Sequence, residues 1–143
     1  MRKFYSIILS ALLLMTVALP GIAQDERQRK PETIVQDVLA QVPVQKQADY
    51  NREMEDLAKG APATVEILCK MLKPVEKAVN NKVEYAISGV VNYACANTKY
   101  KAAVRQGLEA SVASAPDAAT KQFLQEYVRF IKDGRAEIPA YKN

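Results

Sequence analysis

Asn81-Lys82-Val83-Glu84-Tyr85-Ala86-Ile87-Ser88-Gly89-Val90-Val91-Asn92-Tyr93-Ala94 is the stretch that decides the fold class. Val83, Ala86, Ile87, Val90 and Ala94 fall on one face of an α-helix, and nothing in the stretch alternates as a half-buried strand would. Asn81 can cap this helix, and Glu84, three residues on, can reach back to complete a capping box. A helix is therefore predicted from Asn81, with its buried face marked as far as Ala94.

Working outward, the same periodicity recurs on both sides, with prolines and glycines at the breaks. Upstream, Pro31 suits a first helical position, Ile34, Val35, Val38, Leu39 and Val42 form one stripe, and Pro43 ends it. A second helix covers about Lys46 to Lys59, with Tyr50, Met54, Leu57 and Ala58 on one face and Gly60 as its stop. A third opens at Pro62 and carries Val65, Leu68, Cys69 and Leu72 before Pro74 closes it, leaving a linker from Pro74 to Asn80. Downstream, a fifth helix begins at Thr98 with Tyr100, Ala103, Val104, Gly107, Leu108 and Val112. Pro116 and Asp117 start the sixth, which shows Phe123, Leu124, Tyr127, Val128 and Ile131 and stops near Gly134. The class is all-α, in a domain spanning 31–134 with a short tail, 135–143.

The helices also align with one another. A shift of 37 residues places Tyr50 on Ile87 and Leu124, Met54 on Val91 and Val128, and Leu57 on Ala94 and Ile131. A shift of 36 places Leu68 on Val104 and Leu72 on Leu108. Helix pairs at a fixed period point to a short α-solenoid, in which each pair buries its face against its neighbours. The other arrangement open to such helices is a compact bundle.

The first residues have a different character. Met1-Arg2-Lys3 precedes an uncharged apolar run from Ile7 to Leu19, then Pro20 and the small-residue pattern Gly21-Ile22-Ala23. This is the pattern of a secretory signal peptide, 1–23, cut after Ala23. The run is too short for a membrane anchor, which needs roughly 20 apolar residues. Contact with the membrane is then only transient, and the protein is expected in the periplasm or outside the cell. Residues 24–30 contain no apolar side chain and read as an exposed polar leader. The whole chain of 143 residues has 20 basic and 16 acidic residues. Loss of Arg2 and Lys3 with the signal leaves 18 against 16, interspersed as on solvated helix faces, so nucleic acid is not expected as a ligand.

Chemistry is scarce. The chain has no histidine, which removes histidine-dependent triads, acid–base steps and metal sites. Cys69 and Cys95 have no near partner for a thiolate zinc or thioredoxin-type site. On antiparallel helices they would lie about 15 Å apart along the axes, at about 1.5 Å per residue. A disulfide needs Cα atoms within about 7 Å, so two buried free thiols are expected. The 5 glycines form no phosphate-cradling loop. Glu53 and Asp56, three apart, could hold a cation, but are expected as a solvated face paired with Arg52 and Lys59. Tyr93 and Phe130 share the repeat register and could form an exposed aromatic strip, but are expected in the core, as aromatics at helical spacing usually are. No enzyme activity, metal or cofactor is expected.

Asp49-Tyr50-Asn51-Arg52-Glu53-Met54-Glu55-Asp56-Leu57 and Lys82-Val83-Glu84-Tyr85-Ala86-Ile87-Ser88-Gly89-Val90 resemble the beginning of large exported HEAT-repeat proteins of Gram-negative bacteria. The likeness covers most of the chain after the signal and brings no catalytic signature. It implies a helix-pair solenoid with a binding or scaffolding role. Those proteins are much longer, and this chain looks like their first three repeats, cut short, with a last helix pair left open to self-association through Phe123 and Tyr127. In such solenoids the second helix of each pair lines the concave side. The repeat shift then gives three rows of solvent-facing residues: Gln47, Glu84 and Lys121; Asn51, Ser88 and Gln125; Glu55, Asn92 and Arg129. From these, Asn51, Glu55, Ser88, Asn92, Gln125 and Arg129 are predicted to form a polar face for a protein or peptide partner. The other readings are a bundle enclosing a small ligand between its helices, and a remnant with no function of its own.

Overall fold

The computed structural model describes residues 29–73 and 77–134. The chain divides into two compact units, Met1–Lys30 and Pro31–Asn143. Of the first unit only Arg29 and Lys30 are described; both are exposed and without regular structure. The signal sequence, residues 24–28 of the leader and the tail 135–143 lie outside the described residues.

The second unit is all-helical among its described residues. Its helices are α1 (Pro31–Gln41), α2 (Gln47–Lys59), α3 (Ala63–Lys70), α4 (Lys77–Ala96), α5 (Lys101–Ala113) and α6 (Ala118–Asp133), with one 3-10 turn, Thr98–Tyr100, between α4 and α5. The apolar stripes face inward much as their spacing dictates. Ile34, Val35 and Val38 of α1, Met54 and Leu57 of α2, and Val65 and Leu68 of α3 are buried, as are Val83, Ile87 and Val90 of α4, Val104 and Leu108 of α5, and Leu124 and Ile131 of α6. Each fully buried aliphatic side chain contributes about 1.5–3 kcal/mol, which makes this core the main source of stability.

The helices pack in two rows. α1, α3 and α5 lie side by side in one row, α2, α4 and α6 in the other, and each odd helix also packs on the even helix that follows it. α4 touches all five other helices. The rows approach closely where side chains are small. A Cβ on Gly107 of α5 would lie 2.8 Å from the Pro62 carbonyl oxygen and 2.8 Å from Val65 Cβ, so only glycine lets α5 rest on the start of α3. Thr64 fastens that same start to α2, its hydroxyl donating to the Leu57 carbonyl at 2.6 Å.

Several boundaries differ from the expectation. Asn81 does not cap α4, because the helix already begins at Lys77 and includes most of the expected linker. Its neighbour, the buried Asn80 within the first turn of α4, accepts from the Lys73 N–H at 2.8 Å and donates its amide to the Lys73 carbonyl. The short link between α3 and α4 is thus tied from inside, and Asn81 is left exposed. At α6 the polar signals act as read. Asp117 accepts from the Thr120 N–H at 2.7 Å and from its hydroxyl at 3.0 Å, and Gly134 closes the helix in the left-handed conformation with φ 70°. Phe123 and Tyr127, expected at an open end, are buried and meet edge to face at 4.9 Å, because α6 turns them onto its neighbours.

Candidate ligand-binding groove

An open groove of about 430 Å³ lies along α2 and α4, lined by Tyr50 and Asn51 of α2, Asn92, Tyr93 and Ala96 of α4, and Asn97 just beyond it. Two of the six predicted face residues, Asn51 and Asn92, meet here. The lining contains carboxamides and tyrosine rings and no Asp, Glu, Lys or Arg.

Each wall is held from behind. Tyr50 is seated at the glycine of α4, since a Cβ on Gly89 would strike Met54 Sδ and come within 2.9 Å of the Tyr50 hydroxyl. Tyr85 braces the Tyr50 ring edge to face at 6.0 Å. Burial, with Tyr85 close by, pushes the Tyr50 hydroxyl above its ordinary pKa, so it stays protonated as a neutral donor. On the opposite side Tyr93 packs on Tyr100 at 5.9 Å, and the Tyr100 hydroxyl donates to Glu55 at 3.2 Å. Glu55 also pairs with Lys59 at 3.3 Å, and this pairing raises the Lys59 pKa. Glu55 therefore supports the groove wall and is not itself part of the lining.

The carboxamides differ in what they have left to offer. Asn97 donates to the Tyr93 carbonyl at 3.0 Å, and Asn51 accepts from Gln47 at 2.9 Å. Asn92 has no hydrogen-bond partner among the described residues. Both halves of its amide, the Oδ1 acceptor and the Nδ2 donors, face a ligand unspent.

The remaining predicted residues lie apart from this groove. Ser88 is half-buried, its hydroxyl donating to the Tyr85 carbonyl at 3.0 Å within its own helix. Gln125 is exposed on α6. Arg129 is exposed and lines a separate crevice of about 120 Å³ with Glu126, Phe130 and Asp133. In the row of Gln47, Glu84 and Lys121, Glu84 is half-buried, and burial raises its carboxyl pKa. The expected core aromatics Tyr93 and Phe130 are both only half-buried and both line surface depressions.

The other sequence expectations fall as follows. Glu53 is 4% exposed and not solvated, with Arg52 at 3.8 Å, while Lys59 pairs with Glu55 at 3.3 Å. Cys69 and Cys95 are free, Cys69 buried and Cys95 half-buried on the last turn of α4. Among the described residues no cluster of potential metal ligands exists, and no helix is long and apolar enough to cross a membrane. Comparison with protein-family models, curated proteins and solved structures returned no match.

Proposed function

We propose that this chain is a non-enzymatic, exported helical-repeat protein that binds a polypeptide partner on the face presented by α2, α4 and α6. The observation that carries the reading is the two-row packing, in which each helix pair lies against the next, as the pairs of an α-solenoid do. In a solenoid the even helices would share one outward face; of its predicted residues Asn51 and Asn92 meet in the groove and Glu55 braces the groove wall, while Ser88, Gln125 and Arg129 lie apart from it. The braced groove on α2 and α4 gives this face a shaped, uncharged centre. Tyrosine and asparagine suit recognition, since a rigid ring supplies contact area at low entropy cost and a carboxamide supplies adaptable hydrogen bonds. The charged start, apolar run and small-residue site at 1–23 support export to the periplasm or the exterior.

Crosslinking of the tagged full chain in its own cell envelope, followed by mass spectrometry, tests the reading. One dominant protein partner is expected. The double change Asn92→Arg with Arg129→Glu should weaken its capture about tenfold or more, since misplaced charge at an interface costs several kcal/mol. Helicity should not change. Undiminished capture by the double variant would remove the face from the account, and capture of nothing would remove the partner.

A further inference from the structure

Asn80 shows how this chain recognises a backbone. One carboxamide takes both the N–H and the C=O of a single residue, Lys73, accepting from the first and donating to the second. In extended polypeptide the N–H and C=O of one residue point to the same side, as an edge strand presents them to a neighbour. A carboxamide with both halves unspent is therefore a ready partner for an extended segment.

Asn92 is such a carboxamide. Unlike Asn80 it lies on the surface, in an open groove, with no partner among the described residues. Among the described residues the lining around it carries no charged side chain, which disfavours a charged ligand because no charge in the lining would compensate its desolvation. Tyr50 and Tyr93 flank it with apolar ring faces fixed by Tyr85 and Tyr100. The unused Nδ2 of Asn51 and Oδ1 of Asn97 offer one further donor and one further acceptor.

Resting on the binding reading above, we propose that this groove docks an extended, uncharged segment of polypeptide, with Asn92 pairing to the N–H and C=O of one residue and Tyr50 and Tyr93 receiving the apolar side chains beside it. Recognition of this kind reads backbone, so many sequences satisfy it provided that they are extended, neutral and bear an N–H at the central position. A proline or an N-methylated residue at that position is excluded, because the acceptor of Asn92 is then left without its donor.

The test is titration of the full chain with a capped peptide alternating serine and valine, observed by NMR on the backbone amides and the asparagine side-chain amides. The expected result is a shift of the Asn92 amide together with those of Asn51 and Asn97. N-methylation of the central valine and, independently, Asn92→Ala should each weaken binding about tenfold, the effect of losing the paired hydrogen bonds. Arg105→Gln, on the exposed side of α5, should leave the affinity unchanged, and circular dichroism should report an unchanged fold for Asn92→Ala. Equal affinity for the N-methylated peptide, or shifts confined to the Arg129 crevice, would overturn this inference and leave peptide binding standing. Failure of every peptide, with Asn92 shifted instead by a soluble N-acetylglucosamine oligomer, would overturn both readings and make the groove a glycan site. Failure of both probes would also overturn both.

Discussion

Cys69 and Cys95 show what single residues did and did not disclose. The spacing argument kept them apart, and the structure leaves both thiols free. Their environments differ in a way that spacing could not resolve, because Cys95 sits where the stripe of α4 turns toward solvent. Burial pushes the Cys69 thiol up to about 12, with the nearby Ser111 hydroxyl opposing, so thiolate is negligible near neutral pH. Cys95 is also raised by burial, with Lys101 opposing, but remains accessible to reagent. Maleimide should therefore add once to the native protein, at Cys95, and a second time only after unfolding, as mass spectrometry of the intact chain would register. Two adducts at equal rates would contradict the burial of Cys69. Asparagine was harder still to read. Asn80 and Asn81 are equivalent to any pattern of hydrophobic periodicity, yet one binds the Lys73 backbone inside the molecule and the other is exposed. The difference comes from where the chain returns after α3, which no local signal encodes. Tyr50 and Tyr93 were assigned to buried faces because helical spacing registers a direction, whereas the rim of a groove is neither inside nor outside.

At the level of elements, all six predicted helices exist, and the signals that located them were stripes, prolines and caps. Pro43 and Gly134 end helices where expected, and Asp117 caps one. The misplaced boundary was the start of α4, where Lys77 to Asn80 hold no strong breaker and the helix extends back to Lys77. Tyr100 was read as part of the fifth helix, but it closes a 3-10 turn whose ring and hydroxyl brace the groove from outside the regular elements. Gly107 poses a contest that magnitudes decide. Alanine in a helix interior is favoured over glycine by about 1 kcal/mol. Overpacking at a closed contact costs about 1–3 kcal/mol, and here the obstacles are the Pro62 backbone and the branched Val65 side chain, neither of which can yield easily. Gly107→Ala should thus lower stability by about 1–2 kcal/mol in urea denaturation. A gain in stability would mean that α3 and α5 stand further apart than described.

For the whole molecule, the all-α class and most of the core were legible, since buried faces follow from periodicity alone. The recurring shift suggested helix pairs stacked as repeats; the described helices pack in two rows, an arrangement open to a repeat and to a bundle alike. The groove was not legible, because it requires two helices to be set side by side and a turn to fold back on them. The contacts of α4 with every other helix also bear on cooperativity. A long repeat array couples only neighbours and can unfold in parts. Here no helix pair can leave without uncovering α4, so chemical denaturation should follow a single transition by circular dichroism and by tyrosine fluorescence alike. Ile87→Ala, at a fully buried site on α4, should shift that transition by about 2–5 kcal/mol without splitting it. Separate transitions would show that the pairs are independent units. The position of α4 along the chain adds a matter of timing. Synthesis delivers α1, α2 and α3 before the helix that covers them, so Met54, Leu57 and Leu68 have little to close upon until residue 96 has emerged. Under the export proposed above, a keystone placed in the second half of the chain would keep the leading segment open for passage through a secretion channel.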